Sequence, residues 1–103
     1  MHVALCQLPV ASDPALNLAR VRAAMSQASA DGADLAVFPE ATQVRFGSDL
    51  RGAAEPLDGP FGNGLAAAAR DHGTALIAGV FEPAPGGLVY NTAVGYDRHG
   101  NRC

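Results

Sequence analysis

Between Asp34 and Glu40 the chain reads Asp-Leu-Ala-Val-Phe-Pro-Glu: four apolar residues of a buried strand, a proline, and a carboxylate directly after it. Proline has no backbone donor with which to extend a β-ladder, so Phe38 is expected to be the last regular strand position and Pro39 the start of a loop. In open α/β sheets ligands gather outside the carboxyl ends of the strands, where acid and base groups can reach them. Glu40 is therefore the first candidate for chemistry. The same pattern also suits a solvent-facing loop glutamate, because most charged side chains are simply exposed.

The rest of the chain arranges itself around that stretch. Residues 2 to 8 are nearly continuously apolar and short, which predicts a central strand covered on both faces and closed by Pro9. Ser12 or Asp13 caps a helix with Pro14 in its first turn and Leu18, Val21, Met25 and Ala28 on one face, and Gly32 ends it. A second strand from about Asp34 to Phe38 completes a parallel, right-handed strand-helix-strand unit. From Ala41 to Gly62 repeated Gly and Pro break every periodicity, leaving at most a short helical turn. Such a long loop after a candidate acid suits a site wall or an ordinary surface excursion. Phe61, Leu65, Ala68 and Ala69 mark a second amphipathic helix that Gly73 stops. Thr74 to Phe81 reads as a third strand, Pro83 to Gly87 as a turn, and Leu88 to Tyr96 as a fourth strand antiparallel to the third. Asp97 to Asn101 looks like a further hairpin turn, after which only Arg102 and Cys103 follow. The chain is thus expected to be the opening part of a longer domain, since the last strand would otherwise keep an unpaired edge.

At 103 residues and 49% hydrophobic, there is room for one core. Seven basic residues against ten acidic, net −3, form no basic stripe, which argues against nucleic acid or an anionic membrane surface as partner. All seven are arginines. The apolar run Ala75 to Phe81 is far too short to cross a bilayer, and the N-terminus carries no basic leader, so a cytoplasmic protein is expected. Cys6 and Cys103 have neither metal-ligand spacing nor a plausible disulfide in a reducing compartment. Cys6 reads as a small buried hydrophobe. His2, His72 and His99 fall at a chain start, a helix end and a turn, none beside a second ligand type, so no metal site is expected. A dinucleotide-binding unit is disfavoured too: Gln7 to Ser12, the first strand-to-helix turn, has no glycine.

Five segments in this order resemble the opening of a carbon-nitrogen hydrolase of the nitrilase superfamily: Ala4-Leu-Cys-Gln-Leu-Pro9, Gly32 to Glu40, Leu57-Asp-Gly-Pro60, Ile77-Ala-Gly-Val-Phe-Glu82 and Tyr90-Asn-Thr-Ala93. The resemblance implies the N-terminal part of an α-β-β-α sandwich. It also implies cofactor-free, metal-free hydrolysis of an amide, nitrile or ureido compound by a Glu-Lys-Cys triad, in an enzyme that forms homo-oligomers when complete. By match to the Phe-Pro-Glu motif, Glu40 would be the general base, serving a cysteine nucleophile while a lysine holds the oxyanion. Neither partner can be carried over: there is no lysine, Cys6 belongs to the first strand, and Cys103 comes too early.

Other residues keep two readings. Asn91 could fix the Glu40 loop through its amide or be an ordinary polar strand residue. Tyr90 suits packing. Glu82, beside Pro83, suits a solvated hairpin position. Arg45 and Arg51 flank the long loop and could steer an anionic substrate. Two functions follow. The chain is either the N-terminal part of a carbon-nitrogen hydrolase truncated before its lysine and cysteine, inactive alone, or a non-catalytic α/β binding module that pairs through an exposed sheet edge.

Overall fold

A computed structural model describes residues 1–103: β1 (Val3–Leu5), α1 (Pro14–Ala30), β2 (Leu35–Val37), the single turn α2 (Leu50–Ala53), α3 (Pro60–His72), β3 (Ala75–Ala84) and β4 (Leu88–Tyr96). The four strands form one sheet in the order β1-β2-β3-β4, parallel except for the antiparallel β3–β4 pair. Asp13, not Ser12, caps α1, its carboxylate accepting from the Ala15 N–H at 3.0 Å. Val21, Met25 and Ala28 are buried on the expected stripe and Leu18 packs beside them, but the stripe begins with a polar residue, Asn17. No side chain on Gly59 caps α3. Instead Glu55, six residues before Phe61, accepts from the Phe61 N–H at 2.7 Å. Gly73 ends α3 at φ 61°, a left-handed turn that glycine adopts without strain.

Both connections between parallel strands run the same way across the sheet, so the right-handed rule puts α1 and α3 on one face. There Val21, Met25, Phe61 and Leu65 pack on Ala36, Leu76, Val80 and Val94 in a core of 15 buried residues. The helices and sheet are the first α and β layers of the expected α-β-β-α sandwich. The other face is covered only along the far part of β3, where the long loop packs Ala41 and Val44 on Phe81. Toward β1 and β2 it stays open, with Val3 41%, Leu5 77% and Ile77 38% exposed.

This one-sided packing corrects the reading of residues 2 to 8 as a central strand. β1 pairs over three residues only, has one neighbour, and lies at the sheet margin. An apolar run signals that both faces are apolar, but it does not say which neighbours cover them. β3 also runs three residues beyond the expected Phe81, so Glu82 and Pro83 pair with Tyr90 and Val89 instead of forming a turn. The turn itself is only Pro85–Gly87, with Gly86 and Gly87 at φ 74° and 72°. Tyr90, expected to pack, is 55% exposed. Cys6 is half-buried against the core, and burial pushes its thiol above the ordinary value.

The turn after β4 forms as expected. The Asp97 N–H donates to the Asn101 carbonyl at 2.8 Å, and Arg102 and Cys103 begin a return arm on Tyr96 and Gly95. The Asp97 carboxylate accepts from the backbone N–H groups of Asn101 and His99, each at 2.9 Å. These donors, Asn101 first, hold its carboxyl below the ordinary 3.8. A carboxylate whose folded pKa is depressed supports the fold above its unfolded value and loses that support as pH falls through the folded one. The turn is therefore expected to be fully held above pH 3.8 and to fray below it, read as an acid-induced shift of the Asn101 amide resonance. Asp97→Ala should show the frayed shift at neutral pH.

Candidate active site

β2 ends where Pro39 cannot continue it, but β3 runs on past Ile77, the last residue that β2 pairs. The β3 margin beyond Ile77 would be left with bare donors and acceptors, and the chain that follows Pro39 supplies partners for them. The Gly79 N–H donates to the Pro39 carbonyl and the Gln43 N–H to the Gly79 carbonyl, both at 3.2 Å. The Phe81 N–H donates to Gln43 Oε1 at 2.8 Å, and the Glu55 N–H to the Phe81 carbonyl at 3.1 Å. The long loop is thus laced to β3 along its length, and Glu40 lies inside the first of these attachments.

Glu40 stands beside a hollow of about 320 Å³ on the open face of the sheet, lined also by Phe38, Ile77, Gly79, Asn91 and Ala93. Asn91 lies in β4 opposite Phe81, on the face that Gly79 and Ile77 share. Its Nδ2 donates to Glu40 Oε1 at 2.6 Å, across 51 residues of chain. The structure brings these two candidates together. Glu40 is exposed, and its other carboxylate oxygen has no protein donor in hydrogen-bond contact.

The other candidates lie elsewhere. Tyr90, next to Asn91, points to the opposite face. Glu82 is half-buried and accepts from Thr92 Oγ1 at 2.7 Å. It is a strand residue and not the solvated hairpin position expected, because β3 continues past it. Arg51 approaches the β3–β4 turn near Gly87, and Arg45 lies with Ser12, Ser48 and Asp49 in a separate hollow, so neither lines the Glu40 site. Cys6 and Cys103 do not line it either, and no three His, Cys, Asp or Glu residues cluster as a metal site would need.

Three supporting residues escaped sequence reading. Gln43, 1% exposed, also donates through Nε2 to the Ala53 carbonyl at 2.7 Å, so its carboxamide bridges β3 and α2. Asn17 donates to the Gln43 carbonyl at 3.0 Å and exchanges two 2.8 Å hydrogen bonds with the backbone of Ala11. Its signal was its place four residues before Val21, on the apolar stripe. Gly79, an isolated glycine inside an apolar strand, carried the usual mark of a close backbone approach. Gln43 lies among loop breakers and gave no signal.

Glu40 is thus held just beyond the carboxyl end of a strand in a helix-backed α/β sheet. The family model for carbon-nitrogen hydrolases matches residues 2–102, and the chain belongs to that family. It is 46% identical over 94 residues to a hydrolase of Mycobacterium tuberculosis (strain ATCC 25618 / H37Rv), matching 91% of this chain and 34% of that one. It is also 38% identical over 106 residues to a hydrolase encoded in the pqqF 5' region of Pseudomonas protegens, matching 99% and 36%. The chain therefore spans about a third of the length of these relatives. Among solved structures it superposes on an amidase from Nesterenkonia sp. with a TM-score of 0.84 at 28% identity, covering all of this chain and 40% of that one.

The lacing through Gln43 is expected to be costly to remove. Gln43→Leu leaves the buried Phe81 N–H and the Ala53 carbonyl without partners, and should lower stability by about 2–4 kcal/mol in urea denaturation with an unchanged slope.

Proposed function

We propose that these residues are the N-terminal part of a metal-free and cofactor-free amidase in which Glu40 is the general base. The carrying observation is the Glu40 carboxylate, tied by one oxygen to Asn91 at the rim of an open hollow, in a chain of this family. In the complete enzyme Glu40 takes the proton of a cysteine thiol. The thiolate attacks the amide carbon, Glu40 returns the proton to the departing nitrogen so that the carbon–nitrogen bond breaks and ammonia leaves, and a thioester forms with Glu40 again ionised. Glu40 then removes a proton from water as that water attacks the thioester, releasing the carboxylic acid and the thiol. A lysine holds the oxyanion through both steps.

Lysine and nucleophile alike come from the part of the enzyme outside these residues, which contain no lysine and no cysteine at the hollow. The domain of residues 1–103 is on this reading inactive alone. The structural likeness to an amidase from Nesterenkonia sp. supports an amide over a nitrile or ureido substrate. Asn91 is a positioning residue that keeps the carboxylate from rotating away. Two unpaired cysteines suit a reducing cytoplasm, and no helix is long and apolar enough to cross a membrane. The complete enzyme works as a homo-oligomer.

The test is Glu40→Gln in the complete enzyme, which should lower kcat for short primary amides by at least about 10²-fold with an unchanged melting profile. Near-normal turnover would remove Glu40 from the mechanism. Asn91→Ala should lower kcat by about 10-fold and shift KM less than about threefold, the pattern of a misplaced base.

A further inference from the structure

We infer that Gly79 is a positioning residue for Glu40, acting by its lack of a side chain. This rests on the reading of Glu40 as the base. Gly79 is buried, and its φ is outside the positive range, so its backbone alone would accept any residue. What it does not accept is a Cβ. An added methyl would fall well inside contact distance of the Ala41 nitrogen, 2.9 Å from Glu40 Cα and 3.0 Å from the Glu40 carbonyl carbon. All three are backbone atoms, so no side-chain rotation relieves the clash and the Glu40 segment itself must move.

That segment has little freedom to move harmlessly. Gly79 grips it on both sides, by its N–H to the Pro39 carbonyl and by its carbonyl to the Gln43 N–H. Thr42 Oγ1 donates to the same Pro39 carbonyl, closing the turn. Ala41 occupies φ 59°, the one non-glycine residue in the left-handed region, with its side chain buried against Val44 and Phe81. A strained residue directly after the base, pressed onto a strand position that admits no Cβ, fixes where the Glu40 side chain leaves the backbone. From there the carboxylate reaches Asn91, which stands in β4 two positions from the partner of Gly79. A displacement of about 1 Å in such a group is enough to cost 10²-fold in rate.

The experiment is a double-mutant cycle in the complete enzyme, read as ammonia release from short primary amides. Gly79→Ala should lower kcat by about 10²-fold with KM within about threefold, and Glu40→Gln should lower it at least as far. On the Glu40→Gln background, Gly79→Ala should cost less than about threefold more, because a residue that acts through the base has nothing left to position. An equal loss on both backgrounds, or no loss with an intact Glu40, overturns the inference while leaving the base reading standing. Full activity of Glu40→Gln overturns the base reading itself.

If Gly79→Ala loses its cooperative melt, Ala41→Gly carries the test. It adds no atom and frees the same turn, so kcat should fall about threefold to 10-fold on the native background and stay unchanged on Glu40→Gln. Any other pattern counts against positioning.

Discussion

The structure depends on a mismatch in strand length. Proline stops β2 at Val37 while β3 continues to Ala84, and the margin of β3 that β2 abandons must find hydrogen-bond partners. Those partners come from the chain just released from β2: the Pro39 carbonyl, the Gln43 N–H and carboxamide, and the Glu55 N–H. Residues 39–55 are therefore fastened like a strand without being one. Glu40 inherits its position from that fastening, so on the proposed reading the bonds that satisfy a sheet margin also hold the base.

A second consequence concerns the two faces of the sheet. α1 and α3 close one face into an apolar core, and the buried amides of Asn17 and Gln43 tie that core to the loop that carries Glu40. The other face keeps Val3, Leu5 and Ile77 exposed, and Ile77 lines the Glu40 hollow. The main core thus sits on one side and the candidate base on the other. β4 joins the two, with Val94 and Tyr96 facing the helices and Asn91 facing Glu40. The chain spans about a third of its relatives' length, and the proposed reaction draws its other groups from outside these residues.

Much of this was legible in the residues. Pro14, Gly32 and Gly73 mark helix ends, and Phe38-Pro39-Glu40 marks the strand end and its carboxylate; Asn91 keeps two readings in the residues, a support for the Glu40 loop or an ordinary strand position, and the structure shows its contact with Glu40. What escaped was set by partners far along the chain. β1 looks central from its apolar run, but whether a second layer covers it is not written in residues 2 to 8. Pro83 looked like a turn, yet β2 has already ended beside it, so the donor that proline lacks has no ladder to serve there. Gln43 is invisible to periodicity because its role is to replace a missing strand partner with a side-chain amide.

The measurement that tests this account most directly is a crystal structure of the complete enzyme carrying these residues. The account predicts that Glu40 Oε1 still accepts from Asn91, that Gly79 still holds the Pro39 and Gln43 backbone, and that the other carboxylate oxygen meets a cysteine thiol within hydrogen-bond reach. A Glu40 carboxylate turned to bulk solvent, or a thiol served by a different base, would contradict it.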